Sequence, residues 1–133
     1  MLGVPMRILI VDDEREYGLV MFNLLSRLGH DPVIAFDPCQ ALSIAADTQH
    51  PVAGVITDIE MPGMSGVDLA RAIRDEVDRD MPIAFCTGSD PSDEVAMAAA
   101  TLGPVLAKAA PLSDTRAIIK EMISLWARPR PQP

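Results

Sequence analysis

A single α/β domain, with a parallel sheet covered by helices on both faces, is predicted by three observations. The hydrophobic period switches from strand-like to helix-like five times along the chain. The strand-like runs are short and rich in β-branched residues, which suits strands buried on both faces. The length of 133 residues fits one domain with one core, and 49% hydrophobic against 23% charged residues is a globular composition.

Met6 to Val11 is the first such run, Met-Arg-Ile-Leu-Ile-Val. From Glu14 the period becomes helical, with Tyr17, Val20, Met21, Leu24, Leu25 and Leu28 at i, i+3, i+4, i+7, i+8 and i+11. Asp13, Glu14 and Glu16 suit the positive end of that helix dipole, and Gly29 supplies the stop. Val33 to Phe36 reads as the second strand. Asp37-Pro38 then joins an N-cap to proline at the first helical position and opens a helix to about Asp47. Val52 to Thr57 reads as a third strand interrupted by Gly54. Ser65-Gly66-Val67-Asp68 has the form of a capping box with Asp in place of Glu, and the helix behind it carries Leu69, Ala70, Ile73 and Val77 on one face. Pro82 to Cys86 is the fourth strand. Asp90-Pro91 repeats the cap-and-proline start, and Gly103 ends that Ala-rich helix. Val105 to Ala107 makes a short fifth strand, and the last helix uses Ile118, Ile119, Met122, Ile123 and Trp126. Residues 128–133, Arg-Pro-Arg-Pro-Gln-Pro, read as an extended, flexible Pro-rich tail, which places the domain at 6–127.

Charge and spacing then remove whole classes of function. Nineteen acids against 11 bases give a net charge of −8, with no basic stripe to neutralise phosphates. Direct binding to nucleic acid or to an anionic membrane surface is therefore not expected. The uncharged stretch Val95 to Ala107 has 13 residues and is broken by Gly103-Pro104, whereas a spanning helix needs about 18 or more. The apolar N-terminus has its only base, Arg7, inside the run, which makes a poor signal peptide. Cys39 and Cys86 lack metal-ligand spacing and fit free thiols in a reducing, cytoplasmic setting.

Ligands of an open α/β sheet bind outside the carboxyl ends of its strands. Asp12-Asp13 ends the first strand, Asp58 the third, Thr87 the fourth and Lys108 the fifth. Each alone has an ordinary reading: a solvated strand end, a loop start, a turn, a surface lysine. Together they place three carboxylates, a hydroxyl and one of only two lysines on one rim. Crowded carboxylates repel by about 4 kcal/mol per pair at 4 Å and an effective dielectric near 20. A divalent cation such as Mg²⁺ relieves that repulsion and leaves room for phosphate oxygens. One carboxylate can then act as a nucleophile toward phosphorus, with the metal and Lys108 offsetting the charge that develops.

The runs Ile-Leu-Ile-Val-Asp12-Asp13-Glu, Thr-Asp58-Ile-Glu-Met-Pro62-Gly-Met-Ser-Gly66, Cys-Thr87-Gly and Leu-Ala-Lys108 resemble the receiver domain of two-component response regulators, in its single-domain, chemotaxis-regulator-like form. The resemblance implies a flavodoxin-like fold: a doubly wound, five-stranded parallel sheet of order 2-1-3-4-5 with five helices. It implies Asp58 as phosphoacceptor, Mg²⁺ held by Asp13, Asp58 and the backbone carbonyl of Glu60, with Asp12 acting through water. Thr87 and Lys108 would contact the phosphoryl group, which a sensor histidine kinase or histidine phosphotransfer protein would donate. The implied protein is a phosphorelay switch, an enzyme only toward its own phosphorylation and dephosphorylation. The face made by helix four, strand five and helix five would take a downstream protein or a second copy.

Two departures bear on signalling. Val105 stands where the family usually has an aromatic residue, three positions before the lysine. Lys108-Ala109 replaces the usual Lys-Pro, so a different loop course and a less firmly aimed Lys108 are expected. Two other functional classes fit the same rim: a receiver-like interaction module that no longer uses phosphate, and a Mg²⁺-dependent phosphohydrolase, whose second acid Glu60 supplies only loosely. His30 and His50 lie in predicted loops without partner spacing and read as structural or solvent-exposed.

Overall fold

The protein is described by a computed structural model covering residues 4–90 and 92–128. Its strands are β1 (Arg7–Val11), β2 (Asp31–Ala35), β3 (Gly54–Asp58), β4 (Ile83–Thr87) and β5 (Val105–Ala107). The helices that alternate with them are α1 (Arg15–Arg27), α2 (Pro38–Ala45), α3 (Gly66–Glu76), α4 (Glu94–Ala100) and α5 (Leu112–Trp126). All strand pairs are parallel, in the order β2-β1-β3-β4-β5. The parallel sheet is what the alternating periods predict, and its doubly wound order is the one the resemblance implies. The proposed tail beyond residue 128 lies outside the described residues.

Strand alternation sorts the core into two layers, because successive side chains point to opposite faces. Leu9, Val11, Val55, Ile83 and Phe85 face α2, α3 and α4. Ile8, Ile10, Ile56, Ala84 and Cys86 face α1 and α5, where they meet Met21, Leu25, Ile119 and Ile123. The central strands are therefore dry on both sides, as their apolar runs require. Val77 and Ile118, expected on buried faces, are instead exposed; Val77 is the C-cap of α3 and no longer helical.

Three boundary differences from the sequence reading have a clear physical cause. The second strand is Asp31–Ala35, not Val33 to Phe36, because Arg7 pairs with Asp31 and Val11 with Ala35. It is an edge strand, where Pro32 can be accommodated without a ladder donor. The third strand begins at Gly54, so this glycine starts the strand and does not interrupt it. A Cβ there would lie 2.5 Å from Cε3 and Cζ3 of Trp126, so the missing side chain is what lets the α5 ring lie on the strand. Helix α4 begins at Glu94, capped by Asp93, whose carboxylate accepts from the Val95 N–H at 3.1 Å. Asp90 instead closes a turn, accepting from the N–H and hydroxyl of Ser92 at 2.9 and 2.8 Å. The Asp37 and Ser65 caps are where the sequence places them, accepting from the Gln40 and Asp68 N–H groups at 2.8 and 3.1 Å.

Candidate functional site

The register builds the site. Val11 pairs with Thr57, so the next residues along both strands, Asp12 and Asp58, emerge side by side at the carboxyl edge. Strands in a sheet lie about 4.8 Å apart. Asp58 itself pairs with Cys86, which brings Thr87 to the same edge, and the Thr87 carbonyl accepts from the Lys108 N–H at 2.8 Å. Asp12, Asp58 and Thr87 are buried, while Asp13 is exposed.

One ammonium organises these acids. Lys108 Nζ lies 2.9 and 3.1 Å from the two oxygens of Asp12, 3.4 Å from Asp58 Oδ2 and 3.9 Å from Glu14 Oε2. Its side chain is only 11% exposed. Burial by itself would lower the lysine pKa, but the hydrogen bond and charge of Asp12 outweigh it and the ammonium is held above its usual range. Lys108, expected to be less firmly aimed than in a Lys-Pro sequence, has charged partners on three sides here. No cis peptide bond occurs among the described residues, and the side chain is tied down by its charged partners.

Asp58 is less well compensated. Burial, and then the neighbouring Asp12 charge, push its carboxyl up to about 7 despite the pull of Lys108. A carboxylate so placed is a more basic, less solvated oxygen nucleophile than a surface aspartate. Asp12, Asp13 and Asp58 each offer one oxygen, and these lie within 4.8 Å of one another. Hard carboxylate oxygens in that number fit a hard divalent cation such as Mg²⁺.

The walls of the site come from the connections. After β3, Gly66 N–H donates to the Ile59 carbonyl at 2.8 Å, and a Cβ on Gly66 would run into the Asp58 carbonyl. Gly63 takes φ +86°, a left-handed conformation that favours glycine. After β4, Thr87 Oγ1 accepts from the Ser89 N–H at 3.0 Å, and the Ser89 hydroxyl donates to Glu60 Oε1 at 2.5 Å. Glu60 is therefore held by a partner on the next connection.

The structure brings Asp12, Asp13, Asp58, Thr87 and Lys108 to one edge, as the strand ends predict, with Glu60 beside them. Tyr17 and Ser89 were not singled out. Tyr17 follows the helical period as a core residue, yet its ring centroid lies 4.9 Å from Lys108 Nζ. Its position on the first turn after Asp12-Asp13 was the available signal. His30 and His50 stand away from the rim. His30 Nδ1 accepts from the Met6 N–H at 3.1 Å, and burial lowers its pKa. His50 pairs with Asp47 at the surface.

Comparison with known proteins agrees with this geometry. Residues 8–120 match the response regulator receiver domain family. A chemotaxis protein CheY homolog of Campylobacter jejuni is 36% identical over 92 residues, which cover 68% of this chain and 70% of that protein. The response regulator MprA of a Mycobacterium species is 35% identical over 91 residues, covering 68% of this chain and 38% of that one. The response regulator TrrA of Thermotoga maritima, solved in complex with Mg²⁺-BeF, superposes with a TM-score of 0.72 at 28% identity, over 88% of this chain and 98% of that one. A receiver domain protein from Clostridium thermocellum gives a TM-score of 0.76 at 26% identity, over 90% and 95% of the two chains. Among the described residues no helix is long and apolar enough to cross a membrane. The family match, the order of the strands and the acids gathered at their carboxyl edge lead to one conclusion: the chain belongs to the response regulator receiver domain family of two-component systems.

Proposed function

We propose that the chain is a phosphorylation-dependent switch of a phosphorelay, with Asp58 as the phosphoacceptor. The observation that carries this reading is the placement of Asp58: at the end of the central strand, with Asp12 and Asp13 oxygens within 4.8 Å and Lys108 at 3.4 Å. An Asp58 oxygen attacks the phosphorus of a phosphohistidine on a kinase or phosphotransfer partner. The P–O bond forms as the P–N bond breaks, and the electron pair leaves with the imidazole, which takes up a proton. Mg²⁺ would be held by Asp13, Asp58 and the Glu60 backbone carbonyl, with Asp12 acting through water, and would supply positive charge to the phosphoryl oxygens. Lys108 offsets the charge gathering on the transferring group, and the Thr87 hydroxyl donates to one of its oxygens. The chain turns over no substrate other than its own acyl phosphate.

The added charge of about −1.5 to −2 has to be accommodated at the rim. Thr87 and Lys108 follow the phosphoryl group, and the β4–α4 connection and β5 move with them. The output surface is the α4–β5–α5 face, which binds a downstream protein or a second copy of the chain. Exposed Val95 and Met97 on α4 and Ile118 on α5 support that reading.

Intact mass after incubation with Mg²⁺ and a small-molecule phosphoryl donor tests the chemistry. One added phosphoryl group is expected, dependent on Mg²⁺ and absent in Asp58→Asn. Metal binding without any addition, from the small donor or from phosphohistidine donors, would instead assign the chain to the phosphate-independent interaction modules. Sustained turnover of a phosphate ester would assign it to the phosphohydrolases.

A further inference from the structure

Lys108 reaches the rim on a four-carbon stem with many rotamers, from a strand of only three residues. Its partners Asp12, Asp58 and Glu14 are all carboxylates, and the same carboxylates include those that would bind a metal ion. A lysine held only by those acids would lose its anchors whenever their charge is shared with metal or phosphoryl group. One contact is of a different kind. The ring of Tyr17, on the first turn of α1, has its centroid 4.9 Å from Lys108 Nζ. A cation at that distance is attracted by the ring quadrupole, the more so when water is excluded. The ring does not ionise and does not coordinate Mg²⁺, so its attraction persists through every state of the acids.

The ring is itself fixed. Tyr17 is half-buried and packs on the layer between α1, α5 and the sheet. The Cys86 thiol, buried on β4 next to Thr87, is a neighbour of the phenol. Burial, and then this thiol, raise the Tyr17 pKa above its usual range, so the phenol stays neutral. Burial likewise pushes the Cys86 thiol up to about 12. The π face is the part of Tyr17 offered to Lys108.

We propose that Tyr17 is the positioning residue for Lys108, its ring face holding the ammonium beside Asp58 while the acids exchange partners. The inference rests on the reading of Asp58 as phosphoacceptor for its kinetic consequence, but not for the geometry. Tyr17 acts through Lys108, and its aromatic face is the part that matters.

The test is a double-mutant cycle with a spectroscopic control, made on the full chain. Phosphorylation rates from a small-molecule donor at saturating Mg²⁺ are compared for wild type, Tyr17→Leu, Tyr17→Phe, Lys108→Ala and Tyr17→Leu/Lys108→Ala. Tyr17→Leu is expected to slow phosphorylation about five-fold or more, the lower bound being the scale of an exposed cation–π contact. Tyr17→Phe restores the rate that Tyr17→Leu loses. Adding Tyr17→Leu to Lys108→Ala has no further effect, because the partner is already gone. An equal loss in both backgrounds would overturn the proposal, since Tyr17 would then act without Lys108. So would a Phe variant as slow as the Leu variant, which would give the role to the hydroxyl. The NMR shift of the Lys108 ε-methylene protons decides the geometry even if the chain accepts no phosphoryl group. They are expected upfield in wild type and Tyr17→Phe, and normal in Tyr17→Leu. Normal shifts in wild type would sink the idea outright. Should Tyr17→Leu fail to fold, Tyr17→Met takes its place.

Discussion

The two connections that leave the middle of the sheet's carboxyl edge are built on different principles. The β3–α3 connection is set by backbone against backbone. Gly66 leaves no space for a side chain beside the Asp58 carbonyl, Gly63 adopts φ +86°, and Ser65 caps the helix. The β4–α4 connection is held by short polar side chains in series. Thr87 accepts from Ser89, Asp90 from Ser92 and Asp93 from Val95, and the helix they lead to has only seven residues. Steric exclusion does not change with charge, whereas hydrogen bonds worth about 1 kcal/mol each exchange readily when a better partner arrives. The nucleophile thus stands on the rigid connection, and the hydroxyl proposed to sense its modification stands on the pliable one.

The comparison breaks most severely at Gly66. Gly66→Ala is expected to cost about 3 kcal/mol, the upper end for overpacking, because the clash is with backbone that has no rotamer to change. Urea unfolding measures the loss, and phosphorylation of Asp58 should fall with it. Gly88→Ala at the start of the other connection meets nothing within 4 Å of its Cβ and should be near neutral.

Titration sharpens the same contrast. Asp58 has its carboxyl raised to about 7 in the folded state, so the folded chain binds more protons than the unfolded chain between about pH 4 and 7. Metal-free stability from this group therefore falls as pH rises through that window, on the order of 2 kcal/mol between pH 5.5 and 7.5. His30, whose pKa is lowered, works in the opposite direction. The difference in urea midpoint between wild type and Asp58→Asn isolates the aspartate. Mg²⁺ should abolish the decline by replacing the proton. A pH-independent difference would show that Asp58 is not strained in the way its surroundings dictate.

The smallest effects are at the caps. Ser65→Ala should cost about 1 kcal/mol, because α3 is fixed to the core by five buried residues and cannot fray to escape the loss. Asp93→Ala should cost about half as much, since α4 has two buried residues and a short first turn to unwind. Thermal melts of the two variants check the ratio.

The site was legible in the sequence because its polar residues directly follow apolar strands, and strand ends in a parallel sheet share one rim. The order of the strands came from resemblance, and the local pattern carried less. Strand β2 begins with Asp31-Pro32, residues that argue against a strand until an edge position and pairing with Arg7 are known. The start of α4 offered two aspartates three residues apart, Asp90 and Asp93, and the proline rule favoured the wrong one. Gly54 could not be explained from its neighbours, since its partner Trp126 comes from the last turn of the chain's last helix. Tyr17 was indistinguishable from core by period alone. Its contact with Lys108 joins α1 to the residue after β5 and exists only once the sheet and its covering helix are assembled.

The packing of Trp126 on Gly54 has a practical consequence for optical work. This indole is the chain's only tryptophan. It touches β3 at its amino end, while Asp58 closes the same five-residue strand, about 13 Å away at the usual rise per residue. Intrinsic fluorescence should therefore track whether α5 is seated and remain nearly silent to events at the rim. Emission can serve as a clock for folding in the presence or absence of ligand, and a reporter of phosphorylation will have to be installed at the other end of the strand.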